Sequence, residues 1–301
     1  MLHFTPTLGI RDAARNTKEF IKTNMDTFWV IFKPHAPLIN GLTLLDIILS
    51  VLILGEDTET GEYREFPIGG LISSYFYTCL VISWHRVVIH GVDQFEPMNP
   101  FKPKKSELAF IGMGILIGFI AVLFIILLGI PAIMTKAPSL LILVVVGFIC
   151  AFYVGLRICF YFPAKATDKH VTFRHSFAMT KGLVFKLVIA SILAALKMWF
   201  WMVLYAIAGL GVVFALGMAV GGTFGESATD VASASLGFLY AVPIAIYFQP
   251  ILTVIGVTVL SNYYQYALQN RPSAPQKTEK VHYTHEDLNK TRQALDKESK
   301  D

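Results

Sequence analysis

LAFIGMGILIGFIAVLFIILLGIPAIM, residues 108–134, runs for 27 positions without a charge. About 20 apolar residues suffice to carry a helix across a ~30 Å hydrocarbon layer, so this stretch is of spanning length with residues to spare. Its flanks change abruptly: Lys102, Lys104, Lys105 and Glu107 precede it and Lys136 follows. A transmembrane β-strand would be short and alternating. In lipid the backbone must satisfy its own hydrogen bonds, which leaves a helix.

Working outward from this block, five more apolar stretches qualify, at about 37–54, 67–84, 139–161, 183–220 and 231–267. The expected fold is all-α: a polytopic membrane protein of six transmembrane helices over residues 37–268. Residues 1–36 precede it as a cytoplasmic, interfacial amphipathic segment, and residues 269–301 follow as a polar cytoplasmic tail. The composition agrees. Of 301 residues 54% are hydrophobic and 15% charged, where a soluble domain carries about 25% charged; mean hydropathy is +0.58. These values exclude a soluble enzyme, a disordered chain, a collagen-like fibre and a nucleic-acid-binding domain. Cys79, Cys150 and Cys159 all fall inside apolar blocks, which argues against a disulfide framework. The first residues lack the apolar core of a signal peptide.

Orientation follows from the cations. Twenty-two of the 25 Lys and Arg residues fall before the first block, between the second and third, between the fourth and fifth with the adjoining ends of both, or in the tail. Only Arg64 and Lys136 fall on the opposite side, and Lys197 lies within a span. The positive-inside rule places both termini in the cytoplasm. The outer side is small and acidic, with Glu56, Asp57, Glu59, Glu62 and Glu65 in its first loop. These lack the spacing of a calcium loop and read as a solvated turn.

Between Leu8 and Phe32, apolar residues Ile10, Ala14, Ile21, Met25, Phe28 and Phe32 recur at helical spacing, with Arg11, Arg15, Lys18 and Lys22 on the other side. A basic amphipathic helix of this kind suits an inner leaflet rich in anionic lipid; docking of a soluble partner is the alternative. Residues 171–186 read as a second such helix leading into the fifth span. In the tail, Pro272 and Pro275 open a linker, and a short helix can start near Thr284.

Candidates for chemistry are few. Asp46 and Lys197 are ionisable residues in apolar spans, and charge at mid-membrane is costly. They read as a buried ion pair or as an ion or proton relay. A third geometry starts the fifth span after Lys197, which then snorkels to the inner interface. Gln249 sits beside Pro250, and a kink at Pro243 or Pro250 would free backbone carbonyls as in transporter sites. The fifth and sixth spans are longer than a bilayer needs, so tilt, kink or a break must absorb the excess. Gly114 and Gly118, and Gly217 and Gly221, have the GxxxG spacing of close helix packing. Trp84, His85 and Arg86 read as a cytoplasmic interface anchor, with Arg157 in a similar place. The eight histidines give no HExxH or Cys/His zinc spacing, and no nucleotide-binding, hydrolase or paired-carboxylate motif occurs. No catalytic residue, metal or cofactor is expected.

Arg157-Ile158-Cys159, then Phe162-Pro163-Ala164-Lys165-Ala166, then Phe173-Arg174-His175-Ser176-Phe177-Ala178-Met179-Thr180-Lys181-Gly182 carry a resemblance. This pattern, with Trp84-His85-Arg86, resembles uncharacterised multi-pass bacterial inner-membrane proteins loosely related to the membrane region of certain glycerophosphodiester phosphodiesterases. Phe177 stands where that pattern has Trp, and the aromatic–basic pair after the glycine is replaced by Val184-Phe185-Lys186. The resemblance implies a bacterial inner membrane. It does not imply phosphodiesterase activity, because no counterpart of the catalytic domain is present. The expected role is a non-enzymatic accessory, scaffold or assembly component, with the anionic lipid bilayer and a membrane protein or second copy as partners. The alternatives are a small-solute or ion transporter using Asp46, Lys197 and Gln249, and a lipid-head-group enzyme.

Overall fold

The computed structural model describes residues 4–39, 41–42, 68–124, 126–127, 138–169, 171–224 and 247–270. Among them every regular element is helical. The first expected span is almost wholly outside these residues, as are Asp46, the acidic loop, Pro243 and the tail beyond Asn270.

The N-terminal segment forms two helices rather than one, α1 (Ile10–Thr23) and α2 (Met25–Phe32). Asn24 divides them. Its backbone N–H and its side-chain Nδ2 both donate to Phe20 O, at 3.0 and 2.9 Å, which closes α1. Its own carbonyl accepts from Phe28 N at 3.0 Å, which opens α2. The expected apolar face is real: Ala14, Ile21, Phe28 and Phe32 are buried. However, that face is spent on the protein itself, because α1 packs on the long helix α8 described below.

Helix α3 (Ile68–His90) is closed by Gly91, whose φ of +87° is the left-handed conformation that glycine adopts without strain. Helix α4 (Lys105–Phe124) follows a loop, and α5 (Pro138–Ile158) turns into the short α6 (Tyr161–Ala166). The expected helix over 171–186 is also broken. It consists of α7 (Phe173–Met179), capped by the Thr172 hydroxyl accepting from His175 N, and then a turn through Gly182 at φ +74°. Helix α8 (Val184–Phe224) starts from that turn and continues for 41 residues. Tyr247 and Phe248 form a π-helical step into α9 (Gln249–Asn270). Pro250 therefore lies just after a π-helical step, in the first α-helical turn of α9.

Burial divides these helices into two regions. A packed end gathers α1, α2, the second half of α3, α6, α7, the first three turns of α8 and most of α9 around Phe28, Trp84, Phe160, Tyr263 and Tyr264. Aromatic rings meet edge-on through it, as at Phe28–Trp84 (6.0 Å) and Phe20–Trp84 (6.1 Å). In the other region α4, α5 and the middle of α8 present large apolar side chains outward, including Ile115, Phe119, Phe148, Phe152, Trp199 and Ile207. Two described stretches, Val144–Ala166 and Val184–Gly209, are long and apolar enough to cross a membrane. Only 11% and 22% of their most apolar windows are buried. A core helix of a soluble protein would be mostly covered, whereas the apolar side chains of these two stretches are mostly exposed.

Candidate functional site

Two places gather the polar side chains that could do chemistry. The first lies in the packed end, at the last turns of α3. Ser83, Trp84, His85 and Arg86 are all buried there. Trp84 Nε1 donates to Thr258 Oγ1 of α9 at 2.8 Å, and His85 Nδ1 shares a 2.7 Å hydrogen bond with Ser261 Oγ one turn further along. Successive residues of α3 point to different neighbours, so Arg86 faces α4 and α6. Its Nη2 lies 2.7 Å from Glu107 Oε1, Nε donates to Ala166 O at 2.7 Å, and Nη1 donates to Glu96 O at 3.0 Å.

Glu107 completes the arrangement. It is the third residue of α4, and its second carboxylate oxygen accepts from the backbone N–H of Lys104, which precedes the helix. That is the reciprocal half of a capping box, and a carboxylate there also meets the positive end of the helix dipole. One buried acid thus starts α4 and neutralises a buried guanidinium. Ser83 Oγ accepts from Met98 N at 3.0 Å, so the 92–104 loop is tied to α3 at both Ser83 and Arg86. Two hydrogen bonds and the ion pair with Glu107 hold Arg86 as a buried structural cation.

The resembling motif assembles nearby. Ser176 and Thr180, one helical turn apart on α7, both donate to the carbonyl of Arg157, at 3.1 and 3.0 Å. The Arg157 guanidinium sits over the Phe177 ring, 5.3 Å from its centre. Thr172 supplies the cap and Gly182 the left-handed turn, so the spacing of this motif is explained by the joint between α5, α7 and α8.

The second place is a pocket of about 920 Å³ between α1, α8 and α9. Lys18 and Lys22 of α1 and Lys197 of α8 line it, and the rest of the lining is apolar or aromatic, including Met25, Trp201, Leu204 and Phe248. Among the described residues its lining contains no carboxylate.

The expected site residues are distributed accordingly. Trp84, His85 and Arg86 are inside the protein, not on its surface, because each finds a polar partner on a neighbouring helix. Lys197 is exposed and shares the pocket with two other cations; Asp46, its expected partner, lies outside the described residues. Gln249 is exposed at the start of α9. Gly114 and Gly118 meet no close neighbour among the described residues: a Cβ on either would find nothing within 4 Å. They belong to the outward apolar face of α4. The surroundings of Gly217 and Gly221 are outside the described side chains. No group of three or more metal-ligating side chains occurs among the described residues.

Sequence reasoning missed Glu107. Its signal was present as a lone carboxylate three residues into a helix, between two lysines and an uncharged run. No family model, no characterised protein and no solved structure matches this chain.

Proposed function

We propose that the chain is a six-span bacterial inner-membrane protein with both termini in the cytoplasm, acting as a non-enzymatic accessory or scaffold component. The observation that carries this reading is the contrast between the two regions. In the packed end Trp84, His85 and Arg86 are engaged by neighbouring helices, while α4, α5 and the middle of α8 turn bulky apolar residues outward. An outward apolar girdle next to a hydrogen-bonded base fits a protein whose work is done through its surface in the bilayer.

On this reading the overlong fifth and sixth spans need no exceptional tilt. The first three turns of α8 and most of α9 are packed into the base, and the hydrocarbon is crossed by what remains. Lys197 then stands where α8 leaves the base, at the inner interface, with Trp199 and Trp201 beside it as an aromatic belt.

The test is gentle extraction from the native membrane followed by identification of what co-purifies, with a C-terminal reporter to establish topology. A stoichiometric membrane-protein partner and a cytoplasmic reporter are expected. An external reporter would overturn the orientation. Solute flux in proteoliposomes that disappears in Asp46→Asn would replace the scaffold with a transporter.

A further inference from the structure

The pocket between α1, α8 and α9 combines two chemistries at different depths. Lys18, Lys22 and Lys197 bring three cations to its lining, and no carboxylate stands among the described lining residues. Trp201 and Leu204 follow Lys197 along α8 by one and two turns, so at 1.5 Å per residue Leu204 lies about 10 Å from the level of the lysine. Ile255 and Ile251 of α9 and Phe248 and Tyr247 of the step before it also line the pocket. The Tyr205 and Phe248 rings, 5.8 Å apart, bring the two helices together there. One end of the pocket is thus cationic and the other apolar over a length comparable to a head group and the start of its acyl chains.

The surrounding surface fixes which end faces where. Beyond Lys197 the exposed residues of α8 are Trp199, Phe200, Trp201, Val203, Leu204 and Ile207, whereas before it Ala190, Ala194 and Ala195 are buried under α1. The lysines sit at the change from packed protein to outward apolar surface. A soluble anion would use only the cationic end, while an amphiphile uses both.

We propose that this pocket binds one anionic phospholipid of the inner leaflet, with its phosphate among Lys18, Lys22 and Lys197 and its acyl chains along Trp201, Leu204 and Phe248. The volume is within the range of ligand sites that bury most of a bound molecule. Each cation near an anionic lipid contributes on the order of 1 kcal/mol, and the planar aromatic residues supply the amphipathic boundary. Because α1 and α8 each provide cations, the lipid pins α1 to the base. The proposal rests on the membrane reading above, but its failure is separable: topology and extraction behaviour test that reading, and lipid selectivity tests this one.

The experiment is native mass spectrometry of the full chain released from detergent, titrated with phosphatidylglycerol and with phosphatidylcholine. The wild type is expected to bind its first phosphatidylglycerol about tenfold more tightly than phosphatidylcholine. Substituting Lys18→Gln, Lys22→Gln and Lys197→Gln together is expected to reduce the preference to within about twofold, while Lys33→Gln, Lys102→Gln and Lys105→Gln together leave it in place. If the triple pocket variant does not stay monodisperse, Lys197→Gln alone, with Lys197→Arg restoring selectivity, gives the same decision. A preference that survives the pocket substitutions, or falls equally in the control, overturns the site. Displacement of the lipid by water-soluble glycerophosphoglycerol at comparable concentration overturns the lipid in favour of a soluble phosphoester.

Discussion

Helix α8 contains both regions of the molecule in one continuous element. Its first three turns bury Leu187, Ala190, Ala194 and Ala195, and its next four expose Leu196, Trp199, Phe200, Trp201, Val203, Leu204 and Ile207. Both parts are apolar, so hydrophobicity does not separate them; side-chain size does. Alanines four residues apart let a neighbouring backbone come close, and α1 answers with Ala13, Ala14 and Thr17, all buried. From Leu196 to Leu204 bulky side chains predominate, and Leu196, Trp199, Phe200, Trp201, Val203 and Leu204 are exposed. Burial in the base therefore depends on small residues and hydrogen bonds. Exposure in the girdle needs only bulk and the absence of charge.

That contrast can be broken most severely at Arg86 and Glu107. Removing one partner leaves a buried charge, so Glu107→Leu or Arg86→Leu is expected to destabilise the protein by about 3–5 kcal/mol. Thermal unfolding in detergent, followed by circular dichroism, measures it. The double substitution to leucine is expected to be milder than either single change. If both single variants unfold at the wild-type temperature, the pair is not what secures α4 to the base.

The next effect sharpens the division within α8. Ala194→Phe forces bulk between α1 and α8 and is expected to cost about 1–3 kcal/mol. Ile207→Phe in the girdle is expected to stay within about 0.5 kcal/mol. Equal effects would mean that the two parts of the helix are not packed differently. Smaller again are single hydrogen bonds of the base. Thr258→Val removes the hydroxyl that accepts from Trp84 with little change of shape, and Thr180→Ala loses one of the two bonds to the Arg157 carbonyl. Each is expected to cost about 1 kcal/mol in the same assay.

The smallest expected effect is a pH dependence at the end of α3. His90 has its pKa held below the usual 6.5, first by burial and then by the cations of Lys169 and Arg86, with Asp168 opposing. Between its folded value and 6.5 the unfolded chain binds the proton more readily, so stability falls as pH drops below 6.5 and is restored above it. His35, depressed by burial, acts in the same direction. The difference between wild type and His90→Gln isolates the contribution. A wild-type melting temperature that does not fall faster than the variant's between pH 7.5 and about 5.5 would refute it. Glu96, held low chiefly by its hydrogen bond with Lys104, titrates below this window.

The legibility of the fold differed from that of the site for physical reasons. Helical periodicity located the α1–α2 face correctly through Ala14, Ile21, Phe28 and Phe32, because a 3.6-residue repeat is a local property. Asn24 gave no comparable signal, since its helix-ending bonds to Phe20 are one conformation among several open to Asn. Gly182 was read as part of a motif, but its left-handed turn was not. Trp84-His85-Arg86 was singled out for its composition and read as an interface anchor, whereas the structure buries all three side chains. A Trp, a His and an Arg suit a membrane interface as well as a buried polar joint, and only Thr258, Ser261 and Glu107 decide between them.

The sequence by itself determined that the chain is helical, that its apolar residues come in blocks of membrane-spanning length, and which ends of those blocks carry the cations. All three depend on local pattern and composition. Tertiary structure decided that Arg86 is paired with Glu107 21 positions away, that α1 covers the alanine face of α8, and that Lys197 stands with Lys18 and Lys22 beside an apolar pocket. Those facts rest on residues far apart in the chain that meet only when the helices pack. Periodicity reports which face of a helix is apolar, but not what lies against it.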